Sequence, residues 1–96
     1  MAGTAYSDAQ VQSALAQLPG WHLNSKGEIE CRFQFEDFVQ SLAFVNKVGS
    51  IAEEMGHHPD IVINYNKVSL SLTTHDAGGL TKNDFDLAAR ANQLAE

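Results

Sequence analysis

The chain of 96 residues has one cysteine, two prolines and only six lysine or arginine residues. A lone thiol at Cys31 cannot form an intramolecular disulfide, which excludes a disulfide-stapled scaffold. The six basic residues stand singly against twelve acids, giving a formal net charge of -6. Phosphate neutralisation needs clustered lysine and arginine, so direct nucleic-acid binding is not expected. No apolar run approaches the roughly 18 residues of a bilayer span. The opening MAGTAYSDAQ has neither a basic n-region nor an apolar h-region. A reducing, cytoplasmic setting without a membrane partner is the expectation. AGGL is too short to wrap a phosphate. No internal repeat or composition break marks a second unit, so one domain over residues 1–96 is expected, with about six frayed residues at its start.

What is present is strong periodicity. Ser7 with Gln10 fits a capping box, and Val11, Ala14, Leu15 and Leu18 follow at helical spacing before Pro19 and Gly20. Trp21 and Leu23 then face a polar turn over Asn24 to Gly27. Beyond it Ile29, Cys31, Phe33 and Phe35 alternate with Glu30, Arg32 and Gln34, which predicts a hairpin with one buried face. Asp37 caps a long helix with two apolar stripes, one of Phe38, Leu42, Val45 and Ala52, the other of Phe44, Val48, Ile51 and Met55. Together they are wider than burial against one sheet requires. A helix-to-helix contact between copies is therefore expected, and a charge at Phe44 or Val48 should then lower oligomer size; the alternative is packing under the first or last helix.

A second hairpin follows, DIVINYN and VSLSLTTH, with its turn near Asn66 and Lys67. Leu80, Thr81, Asp84 and Phe85 spell a hydrophobic staple around a capping box that opens a last helix. Helix, two strands, helix, two strands, helix predicts an α+β domain in two layers: a four-stranded antiparallel sheet with the helices on one face.

The chemistry-bearing stretch is GHHPD, residues 56–60, in a chain with four histidines. Gly56 is a natural helix C-cap, which puts His57 and His58 in the loop before the third strand. His75 falls at the far end of the fourth strand. A tight hairpin brings all three imidazoles to one sheet edge, with Asp60, Asp76, Asp84 and Glu53 in reach. A single histidine after a helix C-terminus is more often a dipole partner than a catalyst, but three convergent imidazoles with carboxylates point to a site. Adjacent residues in extended chain face opposite ways, so His57 and His58 form a poor chelating pair and no metal is expected. Acid-base catalysis asks less, because imidazoles titrating near neutrality can divide donation and acceptance between them. Nucleophilic catalysis has little support, since Cys31 belongs to a buried strand face. His22 reads as a surface residue, and Trp21 as either core or a wall for a flat ligand.

The run EEMGHHPDIVINYNKVSLSLTTHDAGGLTKND, with LPGWHL before it and FQFEDFVQSLAFVNKV between, resembles the pterin-4a-carbinolamine dehydratase family from Leu18 onward. The resembling positions are Glu53, His57, His58, Pro59, Tyr65, Asn66, Thr74, His75 and Asp84. The resemblance implies loss of water from 4a-hydroxytetrahydrobiopterin to give quinonoid dihydrobiopterin, recycling the cofactor of aromatic amino acid hydroxylases. It implies no metal and no bound cofactor, the pterin being the substrate. It further implies His57 and His75 as the acid-base pair, His58 placing the departing hydroxyl, and Glu53, Asp60 and Thr74 in substrate binding. Asp84 is either the orienter of an imidazole or a structural helix acid. The resemblance also implies a homo-oligomer, dimer or tetramer. The competing expectation is a non-catalytic protein-binding or transcriptional coregulator module on the same fold.

Overall fold

A computed structural model describes residues 4–96. Of the start expected to fray, residues 1–3 lie outside the described residues, while Tyr6 is docked: its N–H donates to the Leu80 carbonyl at 2.6 Å and its ring stacks on Phe85 with centroids 5.3 Å apart. Helix α1, Asp8–Leu15, begins at Ser7 with the expected reciprocal capping box to Gln10. It stops before Leu18, which is buried from the following turns instead of from the helix.

The sheet has four strands: β1 His22–Leu23, β2 Ile29–Gln34, β3 Asp60–Asn64 and β4 Lys67–Leu72, all paired antiparallel in the order β1-β2-β4-β3. The β3–β4 turn is Tyr65–Asn66, one residue earlier than expected. Lys67 already pairs with Asn64, and Tyr65 carries the positive φ of 54°. β2 and β4 lie side by side, Cys31 opposite Leu70 and Phe33 opposite Val68. Alternation therefore turns Ile29 and Cys31 of β2, and Val68, Leu70 and Leu72 of β4, to the helices, all at most 4% exposed. Burying each of the large aliphatic side chains among them is worth about 1.5–3 kcal/mol. His22 stands on the exposed short strand β1, as expected.

Helix α2, Phe38–Met55, starts at Asp37, whose Oδ1 accepts from the Gln40 N–H at 2.9 Å. Its apolar residues divide, but not along the two stripes, since Ala52 of the first is buried with the second. Phe44 and Val48, at 3% and 1% exposure, lie in the core of the subunit with Ile51 and Ala52, so the expectation that these two residues form the contact between copies is corrected. The reason is that α2 is covered by α3 as well as by β3 and β4, which together bury more of its circumference than a sheet alone. The apolar residues left outward are Phe38, Val39 and Leu42, at 45%, 74% and 41% exposure.

Helix α3, Lys82–Ala95, closes the helical layer and buries Phe85, Leu87, Ala88 and Ala91. Trp21 is core, 6% exposed, packed edge-on to Phe33 at 6.1 Å and donating from Nε1 to Asn92 Oδ1 at 2.9 Å. The ligand-wall reading of Trp21 is thereby set aside.

Candidate active site

The loop after α2 is built by its glycine. Gly56 adopts φ 63°, and the chain closes with the His57 N–H donating to the Ala52 carbonyl at 3.1 Å and the Gly56 N–H to Glu53 at 3.3 Å. This paired ending fixes the backbone of His57 one residue beyond the helix. Its ring turns inward, to 11% exposure, and Nε2 meets Asp84 Oδ1 at 2.5 Å.

Asp84 is fully buried, and each of its oxygens has a separate task. Oδ2 accepts from the Thr81 N–H at 2.9 Å, the returning half of the expected capping box, and from the Thr74 hydroxyl at 2.7 Å. Oδ1 is left for His57. The Thr74 proton being spent on Asp84, Thr81 must donate in the 2.8 Å contact between the two hydroxyls. The two readings of Asp84, helix acid and imidazole neighbour, are thus both realised in the geometry. With the carboxylate as acceptor, Nε2 of His57 carries the proton, and Nδ1 is the basic nitrogen of the neutral ring.

His75 lies just beyond β4, in a 3-10 turn over His75–Ala77, and not on the strand itself. That turn is clamped at its base: Thr74 and Gly79 exchange backbone hydrogen bonds at 3.2 and 3.3 Å, and Gly78 turns the chain with φ 74°. The His75 side chain is exposed, and among the described residues it makes no side-chain hydrogen bond. His58 is exposed too, 60%, with Nε2 2.5 Å from Glu53 Oε2, itself 79% exposed. An ion pair in that much water adds little to stability.

The three imidazoles do share one recess, of about 240 Å³, which Thr73, Thr74 and Asp76 also line. Asp60 does not line it; it begins β3 opposite Ser71 and is exposed. Glu53 reaches the recess only through His58. His57 and His58 turn their Nε2 atoms to different carboxylates, Asp84 and Glu53. Among the described residues no group of three or more His, Cys, Asp or Glu is placed to hold a metal ion. Sequence reasoning missed Thr73 and the hydroxyl of Thr81. Thr73 carried no signal beyond lying between β4 and His75; Thr81 was recognised as a cap, but its contact with Thr74 needs the folded clamp.

A cleft-lining histidine anchored through one nitrogen by a buried carboxylate, sharing its recess with a second, exposed imidazole, can remove a proton from one atom of a ligand while the other delivers one. The family model described as pterin 4 alpha carbinolamine dehydratase matches residues 4–94. A "Putative pterin-4-alpha-carbinolamine dehydratase" of Trichormus variabilis is 52% identical over 87 residues, covering 91% of this chain and 92% of that protein. A protein of the same description from Acidobacterium capsulatum is 56% identical over 84 residues, covering 88% and 90%. Among solved structures, a "transcriptional coactivator/pterin dehydratase" from Brucella melitensis superposes with a TM-score of 0.94 at 30% identity, over 97% of this chain and 100% of the other. A pterin dehydratase-like protein described as a RuBisCO assembly factor in the alpha-carboxysome matches at TM-score 0.68 and 28% identity, over 79% of this chain and 89% of its own.

Proposed function

Because the chain belongs to the pterin 4 alpha carbinolamine dehydratase family, we propose that it dehydrates 4a-hydroxytetrahydrobiopterin to quinonoid dihydrobiopterin and water. In that reaction the C4a–O bond breaks, N5 loses its proton, and a C4a=N5 double bond forms as water departs. One group must take the N5 proton and another must protonate the hydroxyl. The observation that carries the reading is the shared recess, in which His57, His58 and His75 meet and His57 is held by buried Asp84.

In this proposal His57 is the base, acting through the Nδ1 that its contact with Asp84 leaves basic. His75, exposed on its clamped turn, is the acid. His58 places the leaving hydroxyl, while Glu53 and the backbone of Thr74 hold the pterin; Asp60, outside the recess, is not given that role. The chemistry needs no metal and no bound cofactor, and its setting would be the cytoplasm, recycling the pterin used by aromatic amino acid hydroxylases. Copies would associate through the outward Phe38, Val39 and Leu42 of α2.

Stopped-flow absorbance of freshly generated 4a-hydroxytetrahydropterin tests it. Wild type should accelerate dehydration in the presence of a chelator, and His57→Ala and His75→Ala should each lose roughly a hundredfold. Folded wild type without acceleration would overturn the proposal.

A second reading is a non-catalytic protein-binding module, favoured by the same outward apolar residues of α2 and by the coactivator and assembly-factor descriptions of two structural relatives. It separates from the first in the same experiment, because a binding module is indifferent to His57→Ala and His75→Ala.

A further inference from the structure

Thr73 and His75 form a divide with a recess on each side. On one side lie the other two histidines, in about 240 Å³; on the other lies a second recess of about 320 Å³, lined by Lys26, Glu28 and Gly78. The histidine recess alone falls short of the ~300 Å³ at which small-molecule pockets ordinarily begin, whereas the two together pass it. A flat ring bound among the histidines would carry its substituent across His75 into the second recess.

The second recess is built with care. Asn24 Oδ1 accepts from the backbone N–H groups of Lys26 and Glu28, both at 2.9 Å. Its amide nitrogen donates to Glu28 Oε1 at 3.1 Å and to Glu30 Oε1 at 3.0 Å, and Ser71 also donates to Glu30 Oε1 at 3.4 Å. One asparagine thus ties the β1–β2 turn to the sheet beside Thr73. The contacts leave Glu28 Oε2 and the Lys26 ammonium without a hydrogen-bond partner among the described residues. Gly27 and Gly78, with φ of 79° and 74°, border open space: a Cβ at either would meet no atom within 4 Å.

We infer that this second recess receives the hydroxylated side chain of the pterin, with Glu28 and Lys26 as the residues that select it. The inference rests on the dehydratase reading. A carboxylate oxygen accepts from a hydroxyl, an ammonium donates to one, and the two charges cancel. Such a pair suits a neutral polyol and gains nothing from an alkyl group.

The test compares the 4a-hydroxy forms of 6-methyl- and 6-(dihydroxypropyl)tetrahydropterin with wild type, Lys26→Met and Glu28→Gln. Gln keeps an oxygen for Asn24, and Met keeps the length of Lys, so the turn persists. Each substitution should lower kcat/KM for the dihydroxypropyl substrate by roughly fivefold or more, through KM, and leave the 6-methyl substrate within about twofold. Turnover of both substrates with an unchanged ratio overturns the side-chain inference alone, as does an equal loss on both. Failure of wild type on both substrates overturns the dehydratase reading, and this inference with it.

Discussion

His57 and Asp84, 27 residues apart in sequence, meet through Nε2 and Oδ1 at 2.5 Å, and the carboxylate that receives the imidazole has no exposed surface. Three donors converge on that carboxylate: the His57 ring, the Thr74 hydroxyl and the Thr81 N–H. Helix start, strand end and loop histidine are joined at one residue, so its chemistry and its structural role are inseparable by deletion but separable by isostere.

Asp84→Asn is that isostere. It replaces one accepting oxygen by a donating amide, which leaves at least one of the three donors facing another donor. We expect a loss of about 1–3 kcal/mol in urea unfolding. Because the amide no longer fixes the His57 tautomer, the rate should fall by more than the folded fraction does. A variant with wild-type stability and an unchanged rate would show that the contact does neither job.

The outward and inward faces of α2 should answer differently to charge. Leu42→Glu adds a carboxylate at an outward site, 41% exposed. It should leave subunit stability within about 0.5 kcal/mol while lowering the mass seen by light scattering. Phe44→Glu buries an unpaired charge at a site 3% exposed and should abolish folding. If Leu42→Glu keeps the wild-type mass, the outward face of α2 is not the contact between copies.

Cys31 is a pH-dependent element. Burial on the sheet's inner face pushes its thiol up to about 11 from an ordinary 9.0. The folded state therefore holds the proton where the unfolded state has lost it. The stability this contributes is complete below the unfolded value and is lost as pH rises from about 9 toward 11. Thermal melts across that window should fall more steeply for wild type than for Cys31→Ala. At pH 8, iodoacetamide should label the thiol only on unfolding.

Much of the fold was legible because local rules decided it. The Ser7–Gln10 box, the alternation of β2 and β4, and the glycine ending of α2 each depend on residues within a few positions of one another. What local rules do not decide was less legible. The strand order turns on which hairpin edge meets which, and the division of α2 between core and surface depends on α3 lying across it. The β3–β4 turn moved by a residue because Tyr65, not a usual candidate for positive φ, takes that conformation. In the site, the histidines and Asp84 were found by residue type. The role of Thr81 required knowing that Thr74 is clamped opposite it. Asp60 was placed near the histidines by sequence proximity, and strand pairing directs it elsewhere.

The strand order also bears on how the protein is made. β1–β2 and β3–β4 are hairpins that can close locally, but the central pair β2–β4 brings Phe33 beside Val68 and must span the whole of α2. Closing so long a loop costs entropy before its contacts return anything, and such pairings set the pace of folding. His57 and His58 stand just before β3 and His75 just after β4, so the local hairpin with Asp60 opposite Ser71 already brings them together. A nascent chain would hold its imidazoles as neighbours while the sheet around them was still in two halves.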